Sequence, residues 1–184
     1  MDLLALDRAA TALNVELMSR LTAEQLDAST PCAGWTVRDL LHHQVDTTLK
    51  FGAALGVELE EPDTEPVTAY RITADRFAEE LDPAALDREA DFPGFGRRSG
   101  KQVLAGHFVD HLVHAWDLAK ATGRDAALPA DLAQAAFRMA RRYPSTPDVR
   151  GPGGPFALPV AVPEDAPLTD RLVGLLGRSP RWPA

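Results

Sequence analysis

The sequence predicts an all-α protein: a four-helix bundle with short peripheral helices and an irregular, Pro/Gly-rich C-terminal region. Three observations predict it. Apolar residues recur at helical spacing in successive long segments. Two of those segments open on a capping-box-like pattern, Thr36 with Asp39 and Ser99 with Gln102. Strand signals are few, because the alternating stretch 156–162 carries Pro159, which argues against a central strand.

Leu3, Leu4, Leu6, Ala10, Leu13, Leu17 and Leu21 place a first amphipathic helix over residues 2–20, followed by a short helical turn at 22–27. Residues 29–35, with Pro31 and Gly34, read as a loop. A second helix is expected from Val37 to about Ala54, then an acidic, proline-bearing loop over 57–66. Tyr70, Ala74, Phe77 and Leu81 share one face of a third helix over 67–81. Residues 88–98 contain Phe92-Pro-Gly-Phe-Gly, a turn or irregular hairpin. The fourth helix runs from Gly100 to Ala121 and stops at Gly123; it is the most apolar and is therefore expected at the centre. A fifth helix fits 130–142 and a last short one 168–177. Proline and glycine cluster in 144–167, too short a stretch to bury its own core. The chain is therefore read as a single domain, 1–184, with 144–184 wrapping it as an extension.

Composition narrows the function. Of 184 residues, 45% are hydrophobic and 25% charged, the mix of a globular protein with a real core. Lys plus Arg total 19 and Asp plus Glu 27, a formal charge of −8 that disfavours nucleic acid and anionic membranes as partners. One cysteine, Cys32, excludes an intramolecular disulfide and the Cys clusters of structural zinc sites. Neither a signal peptide nor an 18-residue apolar run is visible, so the cytoplasm is the expected compartment.

All five histidines fall in two helices, His42 and His43 in the second and His107, His111 and His114 in the fourth. Bundles build metal sites from side chains on facing helices. At about 100° per residue, His107, Asp110, His111 and His114 lie within an arc of about 100°. Asp110 and His114, four apart, stack on one face and can grip one ion; His107 and His111 form a competing pair that spacing alone does not eliminate. His43 is the leading third ligand, beside the face of Val37, Leu40, Thr47 and Phe51, while His42 faces outward or caps a neighbouring contact. Two imidazoles and one carboxylate leave an open coordination position, as in catalytic zinc sites, and also accept Ni²⁺ or Fe²⁺. The competing reading makes these histidines hydrogen-bonded core residues.

Cys32 is about eleven residues from His43, roughly 16 Å along a helix, which places it outside the ligand set as a small buried hydrophobe. Trp35 and Trp116 are expected in the core. Asp117, three after His114, can accept the far N–H of a ligating imidazole, and a solvated or capping role stands beside that one. Arg97, Arg98 and Lys101 can steer an anionic substrate or simply form a solvated face.

Three stretches resemble one family. Residues 30–45 resemble the pattern TPC-x-GW-x-VRDL-x-x-H-x-V of the actinobacterial DinB-like proteins, relatives of the metal-binding N-terminal domain of mycothiol-dependent maleylpyruvate isomerase. Residues 108–123 resemble their D-x-x-x-H-x-WDLA-x-A-x-G motif, and residues 160–180 their C-terminal signature. The resemblance implies a DinB-like four-helix bundle holding one divalent metal, Zn²⁺ or Ni²⁺, on His43, Asp110 and His114. Asp117, His111 and His107 then stand behind the ligands, to orient one or to move a proton. The isomerase has a glutamate in place of Asp110 and an extra C-terminal domain, so its own reaction is not carried over. The expected activity is a thiol S-transferase or isomerase. The metal would hold a low-molecular-weight thiol such as mycothiol as thiolate for addition to an electrophile. The alternative is a metal- or small-molecule-binding helical protein without turnover. The oligomeric state is left open, a homodimer included.

Overall fold

The computed structural model describes residues 2–92, 95–147, 149–151 and 154–183. It is largely helical. Helix α1 spans Leu3–Met18, α2 Val37–Ala54, α3 Pro66–Glu80, α4 Gly100–Ala121, α5 Ala130–Ala140 and α6 Leu168–Leu175. Short 3₁₀ turns sit at Glu24–Asp27 and Pro83–Asp87. The ends follow the expected chemistry. Thr36 and Ser99 each close a full capping box, with Asp39 and Gln102 reaching back to the cap N–H. Asp2 caps α1 by accepting from the Ala5 N–H at 2.8 Å. Pro66 begins α3 one residue before the expected start, where its fixed φ suits the first helical turn.

Helix α4 is the centre of the molecule, with most of its residues buried. Helices α1, α2 and α5 all pack on it, and α3 packs on α1 and α2. Leu6 and Ala10 of α1 meet Phe108, Leu112 and Trp116 of α4, with Leu132 of α5 and Leu172 of α6 behind them. Met18, Leu40, Leu41, Tyr70 and Leu118 form a second cluster, and Phe77, Leu81, Leu104 and Phe92 a third at the opposite end. Each fully buried leucine among these contributes about 1.5–3 kcal/mol relative to exposure. The fold is therefore held by the faces that line α4.

One element corrects the all-α expectation. Strands β1 (Glu89–Phe92) and β2 (Gly96–Ser99) pair antiparallel, Glu89 opposite Ser99 and Phe92 opposite Gly96. Pro93 and Gly94 of the expected turn lie outside the described residues. The ribbon is stabilised by Phe92, whose ring lies 4.6 Å from that of Phe51. Four residues with two carboxylates carry too little alternation to announce a strand. The stretch 144–167 is mostly irregular among its described residues, with one isolated bridge, Arg150 to Phe156. Its Val160 N–H donates to the Gly174 carbonyl at 2.8 Å, which ties the segment to α6. No helix among the described residues is long and apolar enough to cross a membrane.

Candidate metal centre

The packing of α2 on α4 brings together residues 67 or more positions apart in the chain. His43 Nε2 lies 3.8 Å from Asp110 Oδ2, and His114 Nε2 lies 3.5 Å from Asp110 Oδ1. One donor atom from each of the three side chains falls within 4.8 Å of the others. Ligand atoms at about 2.0–2.1 Å in a tetrahedral zinc site are about 3.3 Å apart, so small side-chain shifts suffice to close on an ion. Asp110 Oδ2 is buried and has no hydrogen-bond partner. A buried carboxylate oxygen without a partner is costly and calls for a cation or a donor. The donor set and this orphaned oxygen fit a divalent metal.

The surroundings orient these groups. His114 is 4% exposed, and its Nδ1–H donates to Asp117 Oδ2 at 2.9 Å. That leaves Nε2 as the atom facing Asp110. Thr47 Oγ1 lies 3.3 Å from His43 Nε2. Trp35 packs on both imidazoles, with centroid distances of 4.8 Å to His43 and 6.3 Å to His114. Asp110 and His43 keep side-chain exposures of 21% and 33%, so the site has a mouth.

The charges are strongly coupled. Burial pushes the Asp110 carboxyl up, but His114 and then His43 outweigh it and hold it well below the usual carboxylate range. Burial pushes His114 down, and Asp110, Asp117 and Cys32 outweigh it, so this imidazole lies well above its ordinary value. Asp117 is lowered: burial raises it, and Arg178 and His114 more than reverse that. Without a metal, His114 is therefore an imidazolium between two carboxylates, and a metal at Nε2 must displace its proton.

His107 and His111 belong to a neighbouring buried network. His107 Nδ1 lies 2.6 Å from Asp7 Oδ1, and Thr48 Oγ1 is 3.2 Å from Nε2 of both His107 and His111. His111 Nδ1 faces the His107 carbonyl at 3.2 Å, with Asp110 Oδ2 at 4.0 Å. Burial and the neighbouring His107 push His111 well below its ordinary value. The competing His107–His111 pair thus converges on a hydroxyl and not on a third ligating side chain. His42 faces outward, as one of its two expected placements had it. Trp116 is buried in the core as expected. Arg97 pairs with Glu89 at 3.7 Å and Lys101 with Asp87 at 2.6 Å on exposed surface, so that basic cluster is a solvated face.

One expectation fails in the loop before α2. The helical distance estimate for Cys32 is wrong because the loop folds back on itself. The Trp35 N–H donates to the Cys32 carbonyl, the Thr30 N–H donates to the Trp35 carbonyl, and Gly34 takes a positive φ of 80°. Cys32 Sγ consequently reaches Asp117 Oδ2 at 3.3 Å, and Cys32, His114 and Asp117 offer atoms within 4.8 Å of one another. Cys32 is a half-buried, hydrogen-bonded thiol and not an apolar filler. Trp35, half-buried, packs against the second core cluster and also covers the imidazoles. Arg178, which sequence reasoning assigned no role, donates to Asp117 Oδ2 at 3.0 Å and lies 3.4 Å from Cys32 Sγ. Sequence offers one signal for it: an arginine inside the stretch that resembles a family signature.

The family described as mycothiol maleylpyruvate isomerase N-terminal domain matches residues 8–93, which include His43. Two uncharacterized proteins of Mycobacterium tuberculosis, from strains CDC 1551 and H37Rv, are each 34% identical over 167 residues, covering 90% of this chain and 91% of theirs. No solved structure matches significantly. The likeness over 90% of the chain and the matched segment together establish that the chain belongs to the mycothiol maleylpyruvate isomerase N-terminal domain family.

Proposed function

We propose that residues 1–184 form one DinB-like four-helix domain in which His43, Asp110 and His114 hold a divalent ion, Zn²⁺ before Ni²⁺. We further propose that it works in the cytoplasm as a thiol S-transferase or isomerase of the mycothiol type. The observation that carries this reading is the buried, partnerless Oδ2 of Asp110 facing His43. The family's association with mycothiol supports a small thiol as cosubstrate. The bound ion would supply Lewis acidity that keeps a thiol in its nucleophilic thiolate form at neutral pH.

The chain's own residues prepare that chemistry. Asp117 accepts the His114 Nδ1–H and so directs Nε2 toward Asp110. The Thr47 hydroxyl occupies the His43 Nε2 that faces Asp110, and an ion bound there would take its place. Trp35 covers both imidazoles and screens them from bulk water. The partial exposure of Asp110 and His43 leaves an approach for thiol and electrophile. His111, held without charge by burial, lies 4.0 Å from Asp110 and adds no cation to the site.

The test has two stages. Metal content of the purified protein is measured first, with about one ion per chain expected. Conjugation of a small thiol to a general electrophile is then followed with and without metal. Metal-dependent acceleration supports the transferase reading. Stoichiometric metal with no acceleration reduces it to a binding protein, and no metal removes it.

A further inference from the structure

We propose that Arg178 is a positioning residue for the metal centre: its guanidinium fork holds the Asp117 carboxylate in place, and that carboxylate fixes the orientation of the His114 ring toward the ion. The inference rests on the metal reading above and adds the C-terminal segment as a working part of that site.

Asp117 is fully buried. Its Oδ2 accepts from His114 Nδ1 at 2.9 Å, from Arg178 Nη2 at 3.0 Å and Nε at 3.3 Å, and from Cys32 Sγ at 3.3 Å. A buried carboxylate held by one neighbour alone can turn about its side-chain torsions, and an imidazole that leans on it turns with it. The Arg178 fork places two donors on the Asp117 carboxylate and fixes its plane. With that plane fixed, Asp117 Oδ2 stays 2.9 Å from His114 Nδ1, and Nε2 stays aimed at Asp110, 3.5 Å from its Oδ1.

The chain is built to deliver this side chain. Gly177 ends α6 with a φ of +86°, and a Cβ there would lie 2.6 Å from the Ala157 Cβ, so both conformation and space call for glycine. The Arg178 N–H donates to the Val173 carbonyl at 2.9 Å, and its Nη1 donates to the Leu176 carbonyl at 2.9 Å. Lys120 on α4 donates to the Pro180 carbonyl at 3.1 Å, which clamps the segment just beyond. The arginine is thus anchored on both sides and is only 12% exposed.

The experiment uses the full chain as wild type, Arg178→Leu and Arg178→Lys. Zn²⁺ affinity is measured by chelator competition, and the imidazole N–H signals of the zinc-loaded protein by long-range ¹⁵N–¹H NMR. Arg178→Leu should bind zinc about 10–100-fold more weakly, the usual effect of losing a partner behind a ligand. The protected His114 Nδ1–H signal should disappear with it. Arg178→Lys restores charge without the fork and should recover part of both. A purely structural arginine would lower thermal stability without moving the His114 signal. Should Arg178→Leu fail to fold, Arg178→Lys decides alone, with weaker zinc and a shifted signal expected. Wild-type affinity and an unchanged His114 signal in the folded variant would overturn the inference and leave the metal site standing. Absence of zinc binding in the wild type would overturn both.

Discussion

Metal affinity should depend on pH through His114, and the size of that dependence follows from the structure. Asp110 and Asp117 raise the imidazole well above its ordinary value, so near neutrality the metal-free protein carries a proton on Nε2. Asp110 itself is held well below the carboxylate range and has no proton to lose there. Binding therefore releases one proton from His114, and the dissociation constant should fall about tenfold per pH unit, about 1.4 kcal/mol, from about pH 7 upward. The gain should stop once pH passes the raised His114 value. Asp110→Asn removes the negative charge 3.5 Å from Nε2 and should lower the imidazole's proton affinity along with the metal affinity. The assay is isothermal titration of Zn²⁺ in two buffers of different ionisation enthalpy, which counts released protons directly. Zero protons released near pH 7 by the wild type would refute this charge assignment.

Other consequences follow from the same contacts. Stability of the metal-free protein should respond to pH at both ends. The raised His114 value contributes stability that is complete below about pH 6.5 and is lost as pH rises through its folded value. The depressed Asp110 value contributes above about pH 3.9 and is lost as pH falls through its folded value, and urea unfolding across pH reads both. His107→Ala leaves Asp7 buried without its partner and should cost about 3–5 kcal/mol in urea unfolding while the folded fraction keeps its metal. Cys32→Ala removes one donor to Asp117 and leaves the Arg178 and His114 bonds, so elemental analysis should find metal content unchanged, with about 1 kcal/mol lost in stability. Asp110→Glu should retain metal by the same analysis, since one added methylene moves the same carboxylate within a site that already has a mouth.

Much of the fold was legible because its signals are local. The capping residues Thr36 and Ser99 start α2 and α4 at the expected positions, and the apolar character of α4 all round marks it as central. The pair Asp110 and His114 was readable from a spacing of four on one helix, and His43 from its place beside an apolar face. What stayed hidden depends on distant chain segments. Asp7 meets His107 across 100 positions and Arg178 meets Asp117 across 61, and no local period encodes either. Cys32 was misplaced because a helical rise was applied to a loop that Gly34 turns back. The β1–β2 ribbon was hidden by its brevity, since Phe92, which anchors it, packs on residues distant in sequence such as Phe51 and Phe77.

The central claim is that His43, Asp110 and His114 converge to hold one metal ion. Its most direct test is metal content per chain for the wild type and for His43→Ala, Asp110→Ala, His114→Ala, His107→Ala and His111→Ala, each measured on folded protein. The account predicts about one ion in the wild type, loss in the first three variants and retention in the last two. Retention in Asp110→Ala and His114→Ala with loss in His107→Ala and His111→Ala would contradict it and move the site to the Thr48 network.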